Sequence, residues 1–205
     1  MLVRTAPARS TAMKPMLRAF EKLPASYRLM QRMDLVRNRK LLKLITALSV
    51  VLAVLTVIWG ILLMPDAPKA VWWMILLRVL AGIAAYAAYI VGHEAVHGVL
   101  MWLISRQKPA FGASLMYAYA GSKVFFGKAA YLLIAIAPLA FWTPVLCALA
   151  ALVPPGWFWV VWAVQIGNIS GAAGDLSMFL RVLKLPSSAL IQDSGTAMNL
   201  YHCQL

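Results

Sequence analysis

Four long apolar stretches dominate the sequence and restrict the environment in which the chain can fold. They cover residues 44–64, 71–105, 129–153 and 157–180, and each can form the helix of about 20 residues that crosses a bilayer. With 63% hydrophobic residues and a mean hydropathy of +0.80, the composition is that of a polytopic membrane protein. The sequence therefore predicts an all-α membrane protein with about four transmembrane helices.

The basic residues lie mainly on one side of these predicted spans. Eleven of the 19 lysines and arginines fall between Arg4 and Lys43, and the outer turns hold only Lys69 if the N-terminus is cytoplasmic. The other cytoplasmic segments then hold Arg106, Lys108, Lys123, Lys128, Arg181 and Lys184. Because cytoplasmic loops are enriched in positive charge, we expect a protein of the inner cell membrane with both termini in the cytoplasm.

The net charge of +13 is compatible with two kinds of partner, nucleic acid or the anionic headgroups of a membrane. No RNA- or DNA-binding motif accompanies the basic residues. The lipid bilayer is therefore the predicted partner and nucleic acid is not, while no feature of the sequence indicates an oligomeric state.

Composition divides the chain into three segments. Residues 1–43 form a basic cytoplasmic arm, residues 44–185 the membrane domain with four spans, and residues 186–205 a polar tail. Within the arm, residues 24–43 are predicted to form a basic amphipathic helix on the membrane surface.

The segment between the second and third predicted spans, residues 106–128, is interrupted by glycine and proline and carries four basic residues. Its runs SLMYAY and KVFF, on either side of Ala120-Gly121-Ser122, predict a short cytoplasmic β-hairpin, and a plain loop is the alternative. The edge of such a hairpin can pair with an extended peptide. Tyr117 and Tyr119 are therefore candidate substrate-binding residues.

Residues 92–98 read GHEAVHG within the second apolar stretch, so two of the three histidines and one of the two glutamates lie at membrane depth. Ionisable groups are costly there and indicate a functional site. His93 and His97 are four residues apart and share one face of a helix, where two neutral imidazoles can hold one Zn²⁺. Glu94 is placed to take a proton from water at that ion, which is the HExxH arrangement. Interhelical hydrogen bonding is the alternative.

A catalytic zinc site usually has three protein ligands, and two residues are candidates for the third. Asp175 lies in the fourth predicted span, about two turns from its cytoplasmic end, and the two histidines lie at a similar distance from the cytoplasmic end of theirs. His202 lies in the polar tail. Matching depth favours Asp175.

Small residues precede Asp175 and predict close packing of the fourth span, namely Gly167, Ser170, Gly171 and Gly174. Asn168 is seven residues before Asp175 and on the same helical face. It is a candidate to orient a metal ligand or to bind a substrate carbonyl, and an ordinary interhelical hydrogen bond is the alternative.

Three segments resemble the Putative zincin peptidase family of bacterial membrane proteins: the motif HEAVHG, the later segment GNISGAAGDL and the end SALIQDSGTAMNLY. The arrangement of residues in this family is related to that of site-2 proteases. The resemblance extends over residues 75–201. It implies that His93, His97 and Asp175 are zinc ligands and that Glu94 is the catalytic carboxylate. The chain departs from true site-2 proteases at its aspartate, which stands in an Ala-Gly-Asp-Leu context.

Together these features predict a membrane-embedded zinc metalloendopeptidase that hydrolyses peptide bonds of membrane-associated proteins. The alternative is a membrane zinc-binding protein, or a metallohydrolase that does not cleave peptides.

Overall fold

The computed structural model describes residues 17–34, 38–113, 118–195 and 197–204. Its helices are α1 (Arg39–Leu63), α2 (Trp72–Ser105), α3 (Lys128–Leu152), α4 (Phe158–Gly171) and α5 (Ala173–Leu183), with a 3₁₀ turn over Pro155–Trp157. Its strands are β1 (Ala19–Phe20), β2 (Tyr27–Asp34), β3 (Ala110–Ala113), β4 (Ala118–Gly121), β5 (Phe125–Gly127), β6 (Leu190–Asp193) and β7 (Ala197–Cys203).

Within the described residues, three helices are long and apolar enough to cross a membrane, namely α1, α2 and α3. Many of their large apolar side chains face outward, such as Leu62, which is 78% exposed, and Val91, which is 70% exposed. An apolar outer surface of this extent indicates contact with a membrane or with another protein. The first three predicted spans thus correspond to single helices.

The fourth predicted span is divided into α4 and α5, which meet at Ala172. The backbone of Ala172 has φ −69° and ψ 0°, outside the regular helical range, and its N–H binds the carbonyl of Asn168 at 3.2 Å. Gly171 and Gly174 flank this point, and glycine has a low helix propensity. The interruption leaves Asp175 in the first turn of α5.

The prediction of an all-α protein is wrong in its class, because a five-stranded antiparallel sheet packs at one end of the helices. Its strand order is β1-β5-β6-β7-β2. β2 pairs with β7 from Tyr27 opposite Cys203 to Asp34 opposite Ala197. The predicted amphipathic helix over 24–43 is therefore wrong for Tyr27–Asp34, because a ladder of hydrogen bonds to a distant strand outweighs the local helical pattern. The basic arm and the polar tail join in one sheet, and helix begins at Arg39, where the Asn38 side chain accepts the N–H of Leu41.

A hairpin does follow α2, but its strands differ from the predicted ones. β3 pairs with β4, with Ala110 opposite Gly121 and Ala113 opposite Ala118. The run KVFF does not return to β4, since β5 pairs instead with β1 and β6. The strand pairing in this segment is therefore set by these long-range partners, and not by the turn predicted at Ala120-Gly121-Ser122.

The largest hydrophobic core joins the sheet to the helices. It contains Phe126 and Ile191 from the sheet with Ile134, Met178 and Val182 from the helices, all at most 5% exposed. Because α3 and α5 both contribute side chains to this core, the positions of these two helices relative to α2 are fixed.

Candidate metal centre

His93, His97 and Asp175 converge between α2 and α5. The Nε2 atom of His93 lies 3.2 Å from Oδ2 of Asp175, and Nε2 of His97 lies 3.5 Å from Oδ1 of the same carboxylate. One ligand atom from each residue lies within 4.8 Å of the others. The histidine side chains are 12% and 11% exposed, and that of Asp175 is 31% exposed. Residues 82 positions apart in sequence thus share one small polar site.

The position of the hydrogen on the neutral His93 ring follows from its contact with Tyr89. Its Nδ1 atom lies 2.8 Å from the hydroxyl of Tyr89, and that hydroxyl donates to Oδ1 of Asn168 at 3.0 Å. A tyrosine hydroxyl has a single hydrogen, so Nδ1 of His93 must be the donor in the first contact. The neutral ring then carries its lone pair on Nε2, the atom that faces Asp175.

The proton position on His97 follows from a backbone contact. Its Nδ1 atom lies 3.0 Å from the carbonyl oxygen of Ile134 on α3. A carbonyl only accepts hydrogen bonds, so Nδ1 carries the hydrogen, and in the neutral ring Nε2 carries the lone pair. His97 is buried, which prevents water from replacing this partner.

In the neutral rings these contacts leave two nitrogen lone pairs and a carboxylate facing one another. Acceptors at such short range repel unless a proton or a metal ion lies between them. Ligand atoms in a tetrahedral zinc shell are separated by about 3.4 Å, and the observed separations are 3.2 and 3.5 Å. The donor set and spacing fit a zinc ion held by His93, His97 and Asp175.

Glu94 lines the same cavity but is outside this group of ligands. Its carboxylate accepts a hydrogen bond from the backbone N–H of Ala120 in β4. The cavity has a volume of about 390 Å³, and β4 forms part of its wall through Ala118, Tyr119 and Ala120. The predicted proton acceptor therefore faces a space large enough for part of a peptide.

Small residues have two different roles around Asp175. A Cβ atom on Gly167 would lie 2.2 Å from the Tyr86 ring, so this glycine is needed for close packing of α4 on α2, as the small-residue pattern predicts. A Cβ atom on Gly171 or Gly174 would meet nothing within 4 Å, and both residues line the cavity. At these two positions the absent side chain leaves open space beside the carboxylate.

Asp193 and Tyr131 are further polar residues of the cavity, and the sequence reasoning missed them. Tyr131 donates to Oδ2 of Asp193 at 2.8 Å, and the N–H of Gly195 donates to Oδ1 at 2.8 Å. Burial raises the pKa of Asp193, and the two donors partly offset this effect. The sequence places Asp193 in the polar tail, outside the predicted spans, and so gave no sign of a role in the site. In the structure β6 lies beside α3 and brings Asp193 to the cavity.

The remaining predicted site residues lie in three different environments. Asn168 is fully buried and does not line the cavity; its amide donates to Thr143 at 3.0 Å and to Gln165 at 3.2 Å. It thus makes interhelical hydrogen bonds and contacts the metal centre through Tyr89. Tyr119 lines the cavity, whereas Tyr117 lies outside the described residues. His202 lies in β7 opposite Arg28, outside the group of ligands.

Comparison with known protein families gives one match. A family model described as "Putative zincin peptidase" matches residues 86–190. The chain belongs to this family. The matched segment contains His93, His97, Glu94 and Asp175, whereas Asp193 lies beyond it. No curated protein and no solved structure matches the chain.

Proposed function

We propose that this zincin-family protein is a membrane-embedded zinc metallopeptidase that hydrolyses peptide bonds of membrane-associated protein substrates. The observation that carries the proposal is the convergence of two imidazole lone pairs and the Asp175 carboxylate at separations of 3.2 and 3.5 Å. Glu94 of the HExxH motif faces the same cavity. The three apolar helices support a site within the cytoplasmic part of a bilayer.

His93, His97 and Asp175 would hold the zinc ion, each with the lone pair that its hydrogen bonds leave free. When bound, zinc supplies a Lewis acid that polarises a carbonyl and makes water acidic near neutral pH. Tyr89 and the Ile134 carbonyl keep the two rings oriented, as outer contacts of metal ligands do.

Glu94 acts as the general base and then as the general acid. It takes one proton from the attacking water, whose oxygen bonds to the scissile carbonyl carbon. It then passes this proton to the nitrogen as the C–N bond breaks. The N–H of Ala120 holds the Glu94 carboxylate before the substrate enters, so the base has a defined position and still faces the cavity.

A helical substrate must unwind before cleavage, because its carbonyls are bonded within the helix. β4 supports binding of an extended segment, since it lines the cavity and pairs with β3 along one edge. Addition of a substrate strand at its other edge would bring a peptide past Glu94. Tyr119 is then the described candidate for contact with substrate from this hairpin.

The decisive experiment replaces Glu94 with glutamine in protein purified in detergent. Hydrolysis of unfolded casein and of a membrane-span peptide is measured together with the zinc content. We expect Glu94→Gln to abolish hydrolysis and to retain zinc, because the amide cannot take the proton and the ligands are unchanged. Glu21→Gln is the matched control, since Glu21 binds Gln107 outside the cavity, and it should remain active.

Two results would contradict the proposal. Undiminished hydrolysis by Glu94→Gln would exclude Glu94 as the base. A wild-type protein that binds zinc but cleaves neither substrate would favour the alternative of a zinc-binding protein or of a metallohydrolase that does not cleave peptides.

A further inference from the structure

Helix α3 contains a buried proline one turn beyond the residue that holds His97. Pro138 lies within Lys128–Leu152 and is less than 2% exposed. In an α-helix the N–H of each residue binds the carbonyl four residues earlier. Pro138 has no N–H, so the carbonyl of Ile134 lacks its usual donor within the helix.

That carbonyl is the one that accepts the Nδ1–H of His97, at 3.0 Å. A proline ring also crowds the carbonyl four residues before it and turns that oxygen away from the helix axis. Ile134 and His97 are both buried, so water does not compete for the contact. The carbonyl oxygen that lacks a donor within α3 is thus the one that accepts the imidazole N–H from α2.

We propose that Pro138 is a positioning residue for the metal centre: by leaving the Ile134 carbonyl free, it directs the Nδ1–H of His97 to α3 and the Nε2 lone pair to the metal. The inference rests on the proposed zinc site and assigns a role to a residue that never touches the ion. It also gives a reason for this proline beyond the general tolerance of proline in membrane helices.

The second proline of the same helix provides the contrast. Pro144 removes the donor to the carbonyl of Ala140 in the same way, but it is exposed and does not line the cavity. If proline acted only through flexibility or insertion of α3, both residues would matter equally. If it acts through His97, only Pro138 should affect the metal.

The test compares Pro138→Ala with one matched variant, both purified in detergent. Pro144→Ala restores an N–H in the same helix away from the site. Zinc affinity is measured by competition with a chromogenic chelator, the visible spectrum of bound Co²⁺ reports ligand geometry, and the melting temperature reports the fold.

We expect Pro138→Ala to weaken zinc binding by about tenfold or more, as loss of an outer contact to a ligand does, and to alter the Co²⁺ spectrum. Its melting temperature should not fall, because the new N–H completes the helix. Pro144→Ala should bind zinc as the wild type does. Wild-type affinity and spectrum in Pro138→Ala would overturn the proposal, as would an equal loss in Pro144→Ala.

A measurement on the wild type decides the matter if Pro138→Ala does not fold or if zinc does not bind. With ¹⁵N-labelled histidine, the metal-free protein should show a hydrogen on Nδ1 of His97. A His97 whose Nδ1 carries no hydrogen would overturn the proposal. Because these readouts do not depend on hydrolysis, absence of peptidase activity would contradict the proposed function and leave this inference standing.

Discussion

At the scale of single residues, the site depends on where two hydrogen atoms lie. The Tyr89 hydroxyl and the Ile134 carbonyl each fix one imidazole proton at Nδ1. In the neutral rings the Nε2 lone pairs therefore face Asp175, whose carboxylate supplies the negative charge of the candidate metal centre. Neither the HExxH spacing nor the composition reveals where these hydrogens lie. The partner of His93 is Tyr89, which is hydrogen-bonded to Asn168, and the partner of His97 is a carbonyl on another helix.

The Tyr89 hydroxyl offers a direct test at this scale. Tyr89→Phe leaves the Nδ1–H of His93 and the amide oxygen of Asn168 without their shared partner, which destabilises the oriented ring. We expect zinc affinity to fall about 10- to 100-fold, measured by chelator competition. Tyr86→Phe is the control, because Tyr86 stacks on Tyr89 through its ring. Equal affinity in both variants would mean that the hydroxyl does not orient the ligand.

At the scale of elements, close contacts between helices hold the bundle together. α4 packs against α1 where the indole of Trp162, 1% exposed, donates to the carbonyl of Thr56 at 2.9 Å. A Cβ atom on Gly60 would lie 2.1 Å from that indole. The bulk of Trp162 thus requires glycine on the facing turn of α1.

Adding one methyl group at Gly60 should separate these helices. We expect Gly60→Ala to lower the free energy of unfolding by roughly 1–3 kcal/mol, as overpacking does, and therefore to lower the melting temperature in detergent. Gly82→Ala is the matched control, since its Cβ would meet only Val160 at 3.9 Å. A variant Gly60→Ala as stable as Gly82→Ala would show that the indole moves without cost.

The elements that were predicted wrongly share one cause. The strand Tyr27–Asp34 and the register of β3 with β4 depend on partners that sequence periodicity does not reveal. The interruption at Ala172 is a local feature, but the apolar pattern continues through it. Hydropathy therefore located the spans better than it located their ends and their connections.

At the scale of the whole molecule, charge asymmetry predicts how the chain lies in the membrane. The sheet and its basic strand β2 would lie in the cytoplasm, with the α1–α2 turn outside. In a Cys147→Ala background, a membrane-impermeant maleimide should not label Cys203 in intact cells. An added Lys69→Cys should be labelled there, because residue 69 lies in the exposed α1–α2 turn. Permeabilised cells should label both, and labelling of Cys203 alone in intact cells would reverse the orientation.

The sequence by itself predicted the apolar helices, the HExxH motif and the placement of Asp175 beside the two histidines, because each follows from local spacing or from depth along a span. The tertiary structure alone decided that the polar tail returns Asp193 to the cavity, that the arm becomes a strand, and that the Ile134 carbonyl accepts His97. These contacts join residues far apart in the chain. Their free energy depends on several elements being packed at once, which no single segment encodes.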